Sequence, residues 1–380
     1  MRVRVLWGLA VGVCVVASVV LPMLWQHSLV DLKVYRLGGE TLVEQASALY
    51  DARLAGLPFT YPPFAAVVMV PFALMPWPVA VSVWTLGTFV SLIVVWRISA
   101  GWEMASPVLL AVVAGSLVLE PVRETLGFGQ VNLMLCALVL YDVLGPPTRP
   151  ARGIWVGLAA GVKLTPLVFF GLLVVTRQWK ALAYASGSFA VTVLVGFVVT
   201  PRGATEYWTS LVAETTRIGG LAFSSNQSWN AFLIRLTGDL DGGGLVWLVL
   251  VAVTVGGGLW LTWKLWFKGE RLAAVSVTAL IGLLCSPVSW SHHWVWAIPL
   301  GVAVIARLTR KYKIAFAILW FGVFTVAPIW WPPNHDNREL DWSFGEQFTG
   351  NAYLIAALVA VMILVRDQLR SNRRRGIGRR

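Results

Sequence analysis

Residues 1–35 read MRVRVLWGLAVGVCVVASVVLPMLWQHSLVDLKVY: two arginines, a long apolar run, and then a polar segment that contains Asp31. The apolar run at residues 5–25 has about 21 residues, and a helix needs roughly 20 to cross a bilayer. The run is too long for the core of a signal peptide, and no small-residue cleavage signature follows it. We therefore predict an uncleaved first membrane span that ends a few residues before Asp31.

The remainder of the chain is equally apolar. Of its 380 residues, 58% are apolar or aromatic and 13% are charged, with a mean hydropathy of +0.74. A soluble domain has about 25% charged residues, so the composition excludes a soluble globular enzyme, a disordered chain and a coiled coil. Further apolar runs lie at about 63–76, 79–97, 106–119, 131–144, 153–175, 181–199, 245–263, 272–288, 294–306, 314–331 and 351–365.

These runs and the first segment give about twelve candidate transmembrane helices. Several are short or contain Pro or Gly, which is typical of helices that line a cavity or re-enter the membrane rather than face lipid. The predicted fold class is an all-α polytopic membrane protein, with one domain over residues 1–366 and a basic tail at 367–380.

The net charge of +12 is distributed unevenly along the chain. The polar stretches 27–62, 201–243 and 332–350 hold 12 of the 18 acidic residues and only 7 of the 30 basic ones. By the positive-inside rule these three stretches are outer loops, and both termini are cytoplasmic. The basic tail then faces anionic lipid headgroups, and no nucleic-acid partner is expected. The side of the membrane on which the loops of residues 98–152 lie stays open, because a re-entrant helix pair in the neighbouring segments would reverse it.

Cysteine and histidine give no sign of a metal site or a disulfide framework. Cys14, Cys136 and Cys285 all lie in apolar runs without a CxxC spacing, which is typical of small buried hydrophobic residues. The chain has four histidines and no HExxH motif, so we expect no metal cofactor.

Asp31 is the first candidate for chemistry. A carboxylate at a membrane surface that faces a cavity can act as a general base, because partial desolvation raises its affinity for a proton. The alternative is a solvated loop acid, or one that pairs with Lys33 or Arg36. Downstream, the segment 61–64 (YPPF) predicts a rigid helix start, and Tyr61 is also a candidate for the wall of a substrate pocket.

Two further segments carry polar groups inside apolar sequence. In EPVRETLGFGQVNLML (residues 120–135) these polar residues are Glu120, Arg123, Glu124, Gln130 and Asn132. Such groups are costly at membrane depth and face a cavity or one another, so a structural Glu–Arg pair is the alternative to a site. In GLAAGVKLTP, Lys163 precedes a proline and suits a phosphate at a broken helix, with a buried ion pair as the alternative.

The last candidates lie in the second half of the chain. FSSNQSWNAF places Asn226, Gln227 and Trp229 together, a set of amides beside an aromatic face that suits a sugar, with a satisfied loop turn as the alternative. SPVSWSHHWVW places His292 and His293 at a helix start. Adjacent helical residues point about 100° apart, so both rings cannot easily bind one ion, and a role beside a phosphate or a sugar is preferred.

Read together, six motifs resemble one known family. VDLKVY, FTYPPFAAVV, EPVRETLGFGQVN, GLAAGVKLTP, FSSNQSWNAFLIRL and SPVSWSHHWVW are similar, in this order and at similar spacing, to the actinobacterial polyprenyl-phosphate-mannose-dependent α-1,2-mannosyltransferases of glycosyltransferase family 87. Within the family, the resemblance is to enzymes that act on phosphatidylinositol mannosides. It covers roughly residues 28–300.

The resemblance implies a GT-C membrane fold, an active site on the outer face of the plasma membrane and a polyprenyl-phosphate-mannose donor. It also implies that Asp31 is the catalytic base and that Tyr35 shapes its pocket, whereas Lys33 stands where a histidine is familiar. The groups expected to stabilise the leaving phosphate are Lys163, Arg123 and one of His292 and His293. Those expected to bind sugar or acceptor are Tyr35, Tyr61, Glu120, Gln130, Asn226, Gln227 and Trp229.

The sequence leaves open two alternatives to a phosphatidylinositol-mannoside mannosyltransferase. The same chemistry would branch the mannan of lipomannan or lipoarabinomannan. A flippase or transporter for lipid-linked sugars, a different class of protein, would also have broken helices and polar residues at mid-depth. Such transporters commonly contain inverted repeats, and no repeat is visible in this sequence.

Overall fold

The computed structural model describes residues 28–145, 151–240 and 243–377, except the side chains of residues 216 and 368–377. The predicted first span at residues 5–25 lies outside the described residues. Contacts divide the chain into two compact units. The predicted single domain over residues 1–366 stays a prediction. The first unit runs to Phe170 and includes Trp179–Gly219, and the second comprises Gly171–Gln178 and Gly220–Arg380.

The first unit is built almost entirely from helices. Two-residue strands, β1 (Arg53–Leu54) and β2 (Leu57–Pro58), form a small antiparallel pair between the first two helices. The helices in chain order are α1 (Val30–Gln45), α2 (Pro63–Leu74), α3 (Trp77–Ala100), α4 (Ser106–Ser116), α5 (Glu120–Phe128), α6 (Asn132–Leu144), α7 (Ile154–Val162), α8 (Val168–Val175, from Gly171 in the second unit), α9 (Trp179–Val199) and α10 (Pro201–Thr209).

The second unit is also helical and carries several short 3₁₀ turns. One of these turns, Ser291–Trp296, contains the two adjacent histidines. Its α-helices are α11 (Trp229–Thr237), α12 (Gly244–Phe267), α13 (Arg271–Cys285), α14 (Ala297–Arg307), α15 (Arg310–Val326), α16 (Phe344–Gly350) and α17 (Ala352–Ile377).

Several helices suit a bilayer by length and composition. Among the described residues, α3, α9, α12 and α15, with its continuation to Trp330, are long and apolar enough to cross, and two bent pairs raise the number to six. The pairs are α4 with α5, bent by 74°, and α16 with α17, bent by 70°. The prediction of an all-α, multi-pass membrane protein is therefore confirmed.

The described helices do not confirm twelve crossings. Several predicted runs form helices of 10–17 residues, such as α2 with 12. At 1.5 Å per residue, α2 is roughly 18 Å long, well short of a hydrocarbon core of about 30 Å. Apolar composition identified these segments correctly as helices, but their length limits what they can span.

Prolines mark where many of the helices begin. Proline stands in the first turn of α2, α3, α4, α5 and α10. Its fixed φ and missing N–H are harmless there, because the first-turn N–H groups have no helical partner. The predicted rigid helix start after Tyr61 is confirmed, since α2 begins at Pro63.

Small residues let α7 pack tightly against α9. A Cβ added at Gly157 would collide with the Ser188 hydroxyl and the Ala185 carbonyl, and one at Gly161 would collide with Thr192. This spacing of two small residues on one face is common where membrane helices approach closely. The contact supports the end of α7, immediately before Lys163.

We expect Gly157→Ala to lower the melting temperature of the purified protein, because the collision with the α9 backbone cannot be relieved by rotating a side chain. A cost of roughly 1–3 kcal/mol is typical of overpacking. Gly187→Ala on α9 is the matched control, since a Cβ there meets open space and alanine is the better helix former. Equal melting temperatures for the two variants would contradict the packing described here.

Candidate active site

The site in the first unit is assembled around the start of α1. Leu29, just before this helix, has a left-handed backbone (φ 47°), and its N–H bonds to the Gly127 carbonyl at 3.2 Å. Asp31 therefore lies in the first turn of α1, close to the end of α5. Free N–H groups at a helix N-terminus favour a negative charge.

Packing of α1 against the next segment brings Tyr61 towards the same place. A Cβ at Gly38 would lie 2.6 Å from the Phe59 ring, and one at Gly39 would lie 2.8 Å from the Met69 backbone. Glycine at both positions thus allows α1 to lie directly on α2 and on the chain that precedes it. Tyr61 sits at the end of that preceding chain.

The Asp31 carboxyl is half-buried. Burial raises its pKa from the ordinary 3.8 to about 6, although a hydrogen bond from Gln130 and the charge of Lys163 both lower it. Desolvation outweighs these two favourable interactions. The carboxylate remains reachable from solvent yet has a proton affinity suited to a general base near neutral pH. The alternative of a fully solvated loop acid does not describe it.

Two tyrosines and a glutamine surround this carboxylate. The Tyr35 hydroxyl donates to Gln130 Oε1 at 2.8 Å and lies 3.1 Å from the Tyr61 hydroxyl. The rings of Tyr35 and Tyr61 meet edge to face, with centroids 4.8 Å apart. Burial raises the pKa of both phenols, and the charge of Asp31 raises each further, so both stay protonated.

Lys163 supplies the positive charge of the site. It follows the last residue of α7 in an extended conformation (φ −149°), so the apolar run 153–175 is broken there rather than continuous. Its Nζ donates to Asn132 Oδ1 at 2.9 Å and lies 5.6 Å from the centre of the Tyr61 ring. The helix is broken at Lys163, and the binding of a phosphate there stays a prediction.

Glu120 and Arg123 occupy the neighbouring helix α5. Glu120 is fully buried, whereas the Arg123 side chain is 38% exposed and its Nε lies 3.5 Å from Glu124. Arg123 thus forms an ion pair with Glu124, as the alternative of a structural Glu–Arg pair predicted. A role for Arg123 with phosphate, or for Glu120 with a sugar, stays a prediction.

The amides predicted from the second half of the chain lie in the second unit, where the protein itself engages them. Asn226 and Gln227 are fully buried. Asn226 bonds to the Leu221 and Pro287 carbonyls and to the Ser289 N–H, and Gln227 bonds to the backbone of residues 224, 350 and 353. Trp229 is nearly buried and donates to Thr254. A sugar would have to displace these bonds, and the predicted role of these three residues in sugar binding stays a prediction.

His292 and His293 also belong to the second unit. Their rings meet edge to face with centroids 4.8 Å apart, and His292 is buried. Among the residues that the structure describes, no three His, Cys, Asp or Glu side chains cluster as metal ligands. The predicted role of the histidines beside a leaving phosphate stays a prediction.

One member of the site, Asn132, was predicted only to face a cavity or another polar group and was assigned no role. Asn132 begins α6, is nearly buried and holds the Lys163 ammonium group. The available signal was its position two residues after Gln130, at the start of an apolar helix where a buried amide needs a partner. The sequence does not name that partner, because Lys163 lies 31 residues further on.

The first unit therefore combines a proton acceptor, a cation and two phenols in a partly desolvated site. Such a set can remove a proton from a hydroxyl and can stabilise an anion that departs nearby. Together with the membrane helices, it defines the class of protein as a membrane-embedded enzyme suited to transferring a group from an anionic carrier.

Comparison with known proteins identifies the family. The model of glycosyltransferase family 87 matches residues 59–287, more than half of the chain, and the chain belongs to this family. A polyprenol-phosphate-mannose-dependent alpha-(1-2)-phosphatidylinositol pentamannoside mannosyltransferase from Mycolicibacterium smegmatis is 37% identical, covering 91% of this chain and 88% of the relative. A corresponding phosphatidylinositol mannoside mannosyltransferase from Mycobacterium tuberculosis is 34% identical, covering 88% and 84%. No solved structure matches the chain.

We expect Asp31→Asn to be more stable than the wild type at neutral pH. The raised pKa means that the folded state holds the proton more tightly than the unfolded state, so stability falls as pH rises from about 4 to 6. Above that window the ionised carboxylate costs roughly 3 kcal/mol, at about 1.4 kcal/mol per pKa unit, and asparagine avoids this cost.

Melting temperatures measured between pH 4 and 8 test this expectation. The advantage of Asp31→Asn should be present at pH 7–8 and should shrink towards pH 4. Asp51→Asn is the control, because Asp51 is an exposed acid of the same unit. A destabilised Asp31→Asn at pH 7 would show instead that the charged carboxylate holds the fold together.

Proposed function

We propose that this protein is an inverting α-1,2-mannosyltransferase that moves mannose from polyprenyl-phosphate-mannose to a phosphatidylinositol mannoside. One observation carries the proposal: the half-buried Asp31 carboxyl, with its pKa raised to about 6, shares a site with Lys163. The names of the relatives supply the donor and the class of acceptor. The fold that we propose is the GT-C membrane fold with about twelve crossings. This number counts the shorter apolar helices and the apolar run at residues 5–25 as well as the four to six candidate crossings.

The reaction requires a base and a cation in different roles. Asp31 takes the proton from a mannose hydroxyl of the acceptor, and that oxygen attacks the anomeric carbon of the donor. The bond from this carbon to the phosphate oxygen breaks, and the phosphate leaves with the electron pair. Attack opposite the phosphate inverts a β-linked donor to an α-linked product.

Lys163 is the proposed partner of the departing phosphate. The developing negative charge is stabilised by a preorganised cation more strongly in a desolvated site than in water. Asn132 accepts a hydrogen bond from the ammonium group at 2.9 Å and so restrains its position. The lipid-linked phosphate of the donor thus provides both the leaving group and the feature by which the site selects it. No metal cofactor is part of the proposal.

The charge distribution supports an orientation for this chemistry. The acidic stretch 27–62, which contains Asp31, would face outward, and the basic stretches 263–271 and 307–313 would face the cytoplasm. We therefore place the active site on the extracytoplasmic face of the plasma membrane and both termini in the cytoplasm.

Transfer by the purified protein in liposomes tests the function. Supplied with mannosyl-phosphoprenol and phosphatidylinositol mannosides, the wild type should yield a longer glycolipid with a new α-1,2 linkage. Asp31→Asn should lose activity by about 10²–10⁴-fold, the usual contribution of a general base, while Asp51→Asn should retain it. Substantial transfer by Asp31→Asn would remove Asp31 from the role of base.

The choice of acceptor and the class of protein are read from the same experiment. Extension of lipomannan in preference to the smaller glycolipid would assign the branching activity instead. Movement of the donor across the bilayer without any new linkage would identify a flippase and overturn the proposal.

Lys163→Met tests the phosphate role separately. Removing a charge-assisted hydrogen bond worth about 1.5–3 kcal/mol should raise the donor KM by roughly 10–100-fold and leave the acceptor KM close to that of the wild type. Lys180→Met is the control, since Lys180 is an exposed lysine on α9 of the same unit. An unchanged donor KM together with a reduced kcat would mean that Lys163 does not bind the donor phosphate in the ground state.

A further inference from the structure

Three residues between α5 and α6 and the first residue of α6 converge on the proposed site. These are Gly129, Gln130, Val131 and Asn132, which we call the GQVN turn. The turn follows the end of α5 at Phe128 and leads directly into α6 at Asn132. Each residue contributes a different contact to the site.

The side-chain amide of Gln130 is fully engaged. Its oxygen accepts from Tyr35 at 2.8 Å. This leaves the NH₂ end for Asp31 and Tyr61, and hydrogen bonding by Gln130 lowers the pKa of both groups. Because oxygen and nitrogen of the amide have different partners, Tyr35 fixes which end of the group faces Asp31. Gln130 is only 3% exposed, so it has little surface left with which to contact a substrate.

The backbone of the turn is shaped for this contact. Gly129 has a φ of +72°, and a Cβ at that position would lie 2.6 Å from the Leu32 side chain. Glycine therefore allows the turn to approach α1 immediately beside Asp31. The next N–H, that of Val131, donates to the Tyr35 hydroxyl.

Asn132 performs the corresponding task for the cation. Its Oδ1 accepts from Lys163 Nζ at 2.9 Å, and its side chain is only 8% exposed. The amide oxygen carries no net charge, so it restrains the position of the ammonium group without placing a negative charge against it. An acidic residue at this position would have bound the same nitrogen and neutralised its charge.

Resting on the proposed function, we propose that the GQVN turn is a positioning element for the transfer reaction: Gln130 orients the base Asp31, and Asn132 holds the cation Lys163. An inverting transfer needs the base on the side of the attacking hydroxyl and the cation on the side of the leaving phosphate. Restraining each group through a neutral amide prevents the two opposite charges from collapsing into an ion pair. Gln130 thereby acts through Asp31 rather than by binding the sugar.

The hydrogen bonds of Gln130 and Asn132 have opposite effects on the pKa of Asp31. Loss of the Gln130 hydrogen bond removes an interaction that stabilises the ionised carboxylate, and so raises the pKa of Asp31. Loss of the Asn132 hydrogen bond lets the ammonium group relax towards Asp31 and lowers that pKa. Other ionisable groups lie near Asp31 on the neighbouring elements. They are the protonated phenols Tyr35 and Tyr61, the ion pairs Arg36–Glu40 and Arg123–Glu124, and the exposed Lys33.

The test compares Gln130→Met with Asn132→Ala by the acid limb of the pH profile of kcat/KM. We expect the limb to move up by about one pH unit in Gln130→Met and down by a similar amount in Asn132→Ala. Asn132→Ala should also raise the donor KM. Gln45→Met, an exposed glutamine at the end of α1, is the control and should leave the limb in place.

A second measurement is independent of mannose transfer. The protonated carboxyl band of Asp31 can be titrated by infrared difference spectroscopy, and it is assigned by its absence in Asp31→Asn. Its midpoint should shift in the same opposite directions in Gln130→Met and Asn132→Ala. This titration reports on the carboxylate of the folded protein whether or not the liposome assay yields product.

The outcomes separate this inference from the proposed function. Unmoved midpoints in both variants, together with a raised acceptor KM in Gln130→Met, would overturn the positioning role and return Gln130 to sugar binding while the mannosyltransferase remains. Opposite shifts of the infrared midpoint in a protein that transfers no mannose would support the turn's control of Asp31 and Lys163 and would contradict only the proposed function. Shifts in the same direction would contradict the positioning role.

Discussion

Desolvation of the Asp31 carboxylate is the physical effect on which the site depends. The first turn of α1, a hydrogen bond from Gln130 and the charge of Lys163 all favour the ionised form, yet burial still raises the pKa to about 6. A solvated aspartate near pH 7 is a weak base because its pKa lies far below the ambient pH. Burying the group without support would instead leave it permanently protonated. The balance between burial and these partners therefore sets both the proton affinity of the site and its cost in stability.

That balance is possible because the apolar chain is interrupted where polar groups must meet. Gly129 separates α5 from α6 with a positive φ, Lys163 separates α7 from the following 3₁₀ turn, and Pro63 begins α2 directly after Tyr61. Helix ends expose backbone N–H and carbonyl groups that an intact helix would satisfy internally. In a membrane protein such groups are tolerated where they lie against protein or line a cavity. The helix breaks and the functional side chains consequently occur at the same positions.

Much of this arrangement could be predicted from the sequence, and what could not has physical reasons. Hydropathy predicted the helical membrane protein. The position of Asp31 just after the first apolar run made it a candidate base, and the interruption of an apolar run at Lys163 made that residue a candidate cation. The length of an apolar run does not determine the length of the helix that it forms. The sequence contains about twelve apolar runs, whereas the described residues contain four to six candidate crossings. The pairing of Asn132 with Lys163, 31 residues apart, could not be predicted because it depends on how α6 and α7 pack.

Gln130 and Gln227 show why residue type alone cannot separate a site from a scaffold. Both are buried amides in polar segments, and both were predicted to bind sugar. Gln227 bonds only to backbone groups in its described contacts, so its amide joins loops and the start of α17. Gln130 bonds instead to the side chains of Tyr35, Asp31 and Tyr61. In the proposed reaction Asp31 takes up a proton and so changes its charge. A buried amide bonded to backbone stabilises a fold, whereas one bonded to a titratable side chain alters its proton affinity. The chemical character of the partner, rather than burial or residue type, therefore distinguishes the two roles.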